Sequence, residues 1–424
     1  MIFGLKRRDG WRAALPGGVR AASRAFVGAV ALLPAAMALP VAPAVAQHGR
    51  EAATKTPAAF ETEAAQAILI DDATGSVLFD KAADAPFAPA SMAKIMTAAL
   101  VFEALSSGKI TPDTMFRVSE HAWRTGGGPS GGSAMFALLN SEVRVGDLLR
   151  GMLVQAGNDA AIVLAEGIAG SEPAFVARMT EKAKELGLIR TTFVNASGLP
   201  DPGQMTTARD MARLSRHVIA AWPELYRVFS EPEFTWNKIR QRNRNPLVQA
   251  VNGADGLQTG YTRDGGFALA GSVVQNGQRL VFVLTGLKTA ASRSDEARKL
   301  VEWAYRTFEA RKLFEAGATV GEAGVFGGAS GSVALAARAP VSVLVRREGG
   351  DRLTAQIIYT GPVQAPVAAG AEIGRLVVLR GDAPALETPL YAAAAVARGS
   401  LPQRAMDGAV ELAGGWIRKA LRRE

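Results

Sequence analysis

A serine followed three residues later by a lysine, within Pro89-Ala90-Ser91-Met92-Ala93-Lys94, is the arrangement in this chain with the clearest chemical use. At a helix start, i, i+3 spacing puts both side chains on one face. A lysine beside a serine acts as its general base only when the amine is neutral. Burial and nearby positive charge, including the positive end of a helix, both lower its pKa. The opening turn of such a helix also offers a backbone N–H to an oxyanion. Taken alone, Ser-x-x-Lys is common, because a capping serine followed by a solvated lysine gives the same letters. Composition removes several competing chemistries. With no cysteine there is no thiol nucleophile, disulfide framework, thiolate zinc site or iron–sulfur cluster. His48, His121 and His217 are far apart and show no metal-ligand spacing. No metal and no organic cofactor are expected.

The surrounding residues, Phe87-Ala88-Pro89-Ala90-Ser91-Met92-Ala93-Lys94-Ile95-Met96-Thr97, supply the missing context. They resemble the nucleophile motif of the low-molecular-weight, DacA-like penicillin-binding serine D-alanyl-D-alanine carboxypeptidases. That superfamily carries Ser-x-x-Lys, a Ser-x-Asn type motif and Lys-Thr-Gly. The resemblance runs from about Ala67 to Leu287 and keeps the family's order. It includes Gly132-Ser133-Ala134-Met135-Phe136, Gly157-Asn158-Asp159-Ala160, Asn195-Ala196-Ser197-Gly198-Leu199-Pro200, Thr207-Ala208-Arg209-Asp210-Met211-Ala212 and Asn243-Arg244-Asn245. It implies an enzyme that trims terminal D-Ala from peptidoglycan stem peptides through an acyl-enzyme on Ser91. Lys94 would be the base and Asn158 a further catalytic residue, with the backbone N–H groups of Ser91 and Tyr261 forming the oxyanion hole. Thr259, Gly260, Gln258 and Arg244 would bind substrate, and β-lactams would acylate Ser91.

Two positions depart from the family pattern. Ala156 stands where the second motif has serine, and Gln258 where the third has lysine. The resemblance assigns that serine a share in relaying a proton between Lys94 and the leaving amine. Alanine can neither donate nor accept, and general acid–base help is typically worth about 10²–10⁴-fold. Gln258 keeps a hydrogen-bond donor without the charge, while Arg244 matches a family arginine able to face the substrate carboxylate. Lys288-Thr289-Ala290 imitates the third motif but follows the hairpin and lacks the glycine. The departures leave two rivals to an ordinary carboxypeptidase: an impaired peptidoglycan-binding scaffold, and an endopeptidase of the same fold preferring cross-links. Gly126-Gly127-Gly128 and Gly131-Gly132 lack the strand before and helix after that a phosphate loop needs, and read as a loop lip.

The elements that must position these residues follow from periodicity. Ala67–Asp71 and Ser76–Asp80 are strand-like around the turn Asp72-Ala73-Thr74-Gly75, and Phe267–Gln275 and Arg279–Leu287 flank Asn276-Gly277, a strong hairpin signal. Between them, helical spacing predicts Ser91–Leu105, Val145–Leu153, Asn158–Ile168, Glu172–Leu186 and Thr207–Ala221, and Asp295–Phe308 follows the second hairpin. Strands at both ends of a helical middle imply an α+β domain with an antiparallel sheet, flanked by helices and holding an inserted helical subdomain. It is expected over residues 63–312. Gly317–Gly331 turns rich in Gly and Ala, and the short runs Val341–Arg346, Leu353–Tyr359 and Arg375–Leu379 imply a small β-rich domain over 313–398.

Apolar residues make up 48% of the 424 and charged ones 21%, enough for a full-sized core and too polar for a multi-span membrane protein. The net charge of +9 falls to +4 once Lys6, Arg7, Arg8, Arg12, Arg20, Arg24 and Asp9 in residues 1–46 are set aside. That is no nucleic-acid footprint. Those residues instead read as an export signal: a basic stretch, the apolar run Ala25–Leu39, then Ala44-Val45-Ala46. Residues 47–62 read as a linker. In 401–424, Ala409, Val410, Ala413, Trp416, Ile417, Ala420 and Leu421 recur at helical spacing among Arg404, Arg418, Lys419, Arg422 and Arg423. Such a basic amphipathic helix suits an anionic bilayer surface. The expectation is therefore an exported periplasmic protein held peripherally on the inner membrane.

Overall fold

The computed structural model describes residues 60–409 together with Arg12 and Ala13, which pair antiparallel with Leu353–Tyr359. The rest of the expected export signal, most of the linker and residues 410–424 lie outside the described residues.

Five antiparallel strands form the central sheet, in the order Val77–Lys81, Gln66–Asp71, Gln278–Leu287, Gly266–Gln275 and Ala254–Thr262. The chain's two hairpins join where Gln66–Asp71 pairs with Gln278–Leu287, as in Ile70 opposite Val281. Each apolar run is continuous because both of its faces are buried. On one face Ile68, Ile70, Val281 and Val283 meet the helical body, and on the other Ala67, Leu69, Phe282 and Leu284 pack against the helix Ala290–Thr307. The Asn276-Gly277 turn has φ of 52° and 76°, both in the left-handed region that a two-residue hairpin requires.

Lys94–Ser106 is the central helix, and from Lys94 to Phe102 every residue is buried. A helix apolar all round belongs in the interior of a bundle, and this one is enclosed by Val145–Leu153, Asn158–Ala169, Glu172–Glu185 and Ala208–Ala221. Caps set their starts: Ser171 accepts from the Ala174 N–H at 3.3 Å, and Thr207 from the Asp210 N–H at 3.1 Å. Thr289 caps Ala290–Thr307 in a capping box with Ser292. Its hydroxyl is thereby committed, which is the physical reason that Lys288-Thr289-Ala290 is no binding motif.

Residues 308–392 form the β-rich part, with a core of residues such as Val320, Leu335, Val343, Ile357, Leu376 and Leu390. One strand here carries no clear sequence signal, and the helix before it ends earlier than expected. The Gly- and Ala-rich stretch contains a strand, Thr319–Phe326. The last helix ends at Thr307, so the boundary expected after residue 312 falls inside the strand Phe308–Phe314. Phe308 packs into the sheet–helix core, whereas Leu313 and Phe314 pack on the β core. Two further antiparallel pairs were not read from the sequence: Met115–Arg117 with Glu142–Arg144 across a long connection, and the hairpin of Glu233–Trp236 with Ile239–Arg242. Among the described residues no single helix is long and apolar enough to cross a membrane.

Candidate active site

Ser91 and Lys94 meet through a tighter geometry than an α-helical turn. Ala90–Ala93 is a 3₁₀ turn leading into the central helix. With three residues per turn, side chains at i and i+3 lie directly above one another, and Lys94 Nζ lies 3.0 Å from Ser91 Oγ. Lys94 is wholly buried, while Ser91 is partly open to the cleft.

Two more segments reach the same amine. Asn158, the first residue of its helix, accepts from Nζ at 2.7 Å through Oδ1, and the Ser197 carbonyl accepts at 2.5 Å. That carbonyl is held by a loop wound around Asn195, whose Oδ1 takes the N–H groups of Gly198 at 2.7 Å and Leu199 at 3.1 Å. Gly198 has φ of 83°, and a Cβ there would fall 1.8 Å from the Ala90 carbonyl oxygen. Only glycine lets this loop lie against the serine turn. The loop's part in holding Lys94 was not readable from the residues, because it acts through backbone carbonyls.

Burial is the main cause lowering the Lys94 pKa to about 7, and the nearby carboxylate of Asp159 works against it. Asp159 is itself fully buried and accepts the N–H groups of Met135 at 2.9 Å, Ala137 at 3.1 Å and Ala160 at 2.9 Å. It thereby pins the Gly132–Ala137 wall to the helix that presents Asn158. Gly126 belongs to the same packing, since a Cβ there would lie 2.4 Å from the Asp159 nitrogen. The glycine-rich segment is a packed wall as well as a rim.

The resulting cleft, of about 620 Å³, is lined by Ser91, Ala156, Asn158, Arg244, Thr259–Tyr261 and Arg293 among others. Ala156 is buried, at a left-handed φ of 62°. Gln258 is buried and is not among the residues that line the cleft. Its side chain is 1% exposed, its Nε2 donates to the Met152 carbonyl at 3.4 Å, and its Oε1 accepts from the Thr259 N–H at 3.1 Å. A buried amide can be satisfied in this way where an unpaired ammonium could not. Tyr261 is exposed, with its ring 4.4 Å from that of Phe267.

Arg293 was missed at the sequence level because its helix begins at Ala290, five residues before the expected Asp295. Its buried Nε has no hydrogen-bond partner among the described residues, and its guanidinium lies 5.6 Å from the Phe267 ring centre. Burial and then the charge of Arg244 push its pKa down. The two guanidiniums line the same cleft. Among the described residues there is no cluster of metal-ligating side chains.

Comparison with known proteins gives the family and the fold. A family described as D-alanyl-D-alanine carboxypeptidase matches residues 51–289, and the C-terminal domain of penicillin-binding protein 5 matches residues 308–398. The chain is 41% identical over 329 residues to the D-alanyl-D-alanine carboxypeptidase DacC of Escherichia coli, covering 77% of this chain and 82% of that one. It is similar to the crystal structure of penicillin-binding protein 5 from Haemophilus influenzae, at 35% identity and a TM-score of 0.72, over 80% of this chain and 99% of the other. A second similar structure is penicillin-binding protein D2 of Listeria monocytogenes in its ampicillin-bound form. It is 29% identical with a TM-score of 0.50, over 58% of this chain and 98% of that one.

The buried amine gives the site a definite pH dependence. Lys94 can take a proton only when neutral, and its pKa is about 7. Below that pH the neutral fraction, and with it acylation of Ser91, should rise about tenfold per pH unit, then level off above it. The second-order rate constant for β-lactam acylation, measured from roughly pH 5 to pH 9 around that midpoint, checks this. A profile flat through that range would mean that another group takes the proton.

Proposed function

Since the chain belongs to the D-alanyl-D-alanine carboxypeptidase family, we propose that Ser91 is the nucleophile with which it removes the terminal D-Ala of peptidoglycan stem peptides, Lys94 being the base. The activity is that of a serine-type DD-carboxypeptidase, a hydrolase. The relatives favour this over the scaffold and endopeptidase readings. The observation that carries the residue assignment is the Lys94 amine, withdrawn from water and 3.0 Å from Ser91 Oγ.

Ser91 Oγ attacks the penultimate carbonyl as its proton passes to Lys94 Nζ, while the backbone N–H groups of Ser91 and Tyr261 receive the oxyanion. The C–N bond breaks, the leaving amine takes a proton, and D-Ala departs. Water then attacks the ester and regenerates Ser91. Arg244 and Arg293 hold the substrate's terminal carboxylate, which supplies the anion their arrangement lacks. With Ala156 in place of a hydroxyl and Gln258 turned away, the leaving amine receives its proton from Lys94 directly or through water.

The exported protein would work in the periplasm, with residues 1–46 as signal and 47–62 as linker, 401–424 resting on the inner membrane. Residues 401–409 are helical and largely exposed, as at Leu401 and Met406, and Asp407 ties them to the β domain by accepting the Gly327 N–H at 2.8 Å.

A penicillin should add covalently to the peptide containing Ser91, and Ser91→Ala should abolish the adduct in intact-mass spectra. Labelling elsewhere, unaffected by that substitution, rules out the assignment. Ala156→Ser combined with Gln258→Lys should raise D-Ala release by at least about tenfold, below the roughly 10² that a placed acid–base group can provide. No gain in an already brisk wild type would mean that water fills the relay. Ending the chain after Ser400 should move the protein from membrane to soluble periplasmic fractions without unfolding it; a truncated protein that still pellets with membranes counts against the anchor.

A further inference from the structure

Beyond Arg244 and Arg293 the cleft continues into a groove of about 450 Å³ that adds Arg240 and Arg242 to those two, beside Phe136. The source of this charge is a strand pattern. In the strand Ile239–Arg242, Arg240 and Arg242 fall at alternate positions and so on one side, and Arg244 follows in the bend just beyond the strand's end. Gln241 points the other way, buried and donating to the Met135 carbonyl at 3.0 Å. Arg240 is paired with Glu233. Arg242 and Arg244 have no ion-pair partner among the described residues, and Arg242 is exposed. Arg293 adds a buried, unpartnered Nε, and its pKa is lowered in part by the charge of Arg244. Positive charge gathered around a concave surface favours an anion there. The single carboxylate of a terminal D-Ala engages Arg244 and Arg293 and leaves Arg242 unanswered.

We propose that this groove is a leaving-side subsite for a group that carries a second carboxylate, with Arg242 as its specificity-determining residue. The inference rests on the reading that the terminal carboxylate binds at Arg244 and Arg293, and the bond cut is the same. A second carboxylate could come from an acidic D-residue at the peptide's end, or from a further peptide strand joined through the leaving amine. Either source presents the same chemistry to Arg242.

The test compares three substrates on the full chain: an acylated peptide ending in D-Ala-D-Ala, the same peptide ending in D-Ala-D-Glu, and a cross-linked stem-peptide dimer with acidic residues on its leaving strand. At least one dicarboxylate substrate should have a kcat/KM about fivefold or more above the D-Ala peptide, as charge-assisted hydrogen bonds allow. Which one does so identifies the source. Arg242→Ala should remove that advantage and leave D-Ala release unchanged, and Arg242→Lys should restore part of it. Because Arg242 is exposed, added salt should shrink the advantage as well. Equal rates on all three substrates, or an advantage that survives Arg242→Ala, overturns the subsite while D-Ala release stands. A folded protein that neither releases D-Ala nor is acylated at Ser91 overturns the underlying reading instead.

Discussion

Everything in the catalytic domain converges on one amine without access to water. A lysine side chain with no solvent exposure must find all of its hydrogen-bond partners inside the protein. Lys94 finds them on three separate segments: Ser91 a turn before it, Asn158 at a helix start, and the Ser197 carbonyl in the Asn195 loop. Those segments can meet only if the central helix is enclosed on every side. The buried stretch from Lys94 to Phe102 is therefore as much part of the site as Ser91 is.

The same enclosure sets the chemistry. Desolvation brings the amine near neutrality at physiological pH, and Asp159 limits how far the shift goes. One carboxylate thus acts twice, through its field on Lys94 and through the backbone N–H groups by which it holds the opposite wall. A lysine at 258 would need a partner for its charge in a position that is 1% exposed. A glutamine satisfied by Met152 and Thr259 removes that demand.

Charge missing from the third motif is present elsewhere in the cleft. Arg244 comes from the turn after a hairpin and Arg293 from the first turn of the helix behind the sheet, so two distant segments build one anion site. Burial first, and then the charge of Arg244, lower the pKa of Arg293.

By itself the sequence determined which residues could react and the kind of fold that carries them. The Ser91–Lys94 spacing, the continuous apolar strands, the Asn276-Gly277 turn and the helix periods are local signals, and local chemistry produces the features they announce. The tertiary structure alone decided matters that depend on approach between distant segments. It set the burial that tunes Lys94, brought the Ser197 carbonyl to the amine, turned Gln258 away from the cleft and carried Arg293 to its end. Weak signals also failed locally. The strand Thr319–Phe326 is hidden in glycine and alanine, and the break at Thr307 looks like continued helix until Phe308 is required by the core behind the sheet. Spacing along a chain records which side chains share a face, whereas desolvation and electrostatic repulsion depend on what the fold packs against that face.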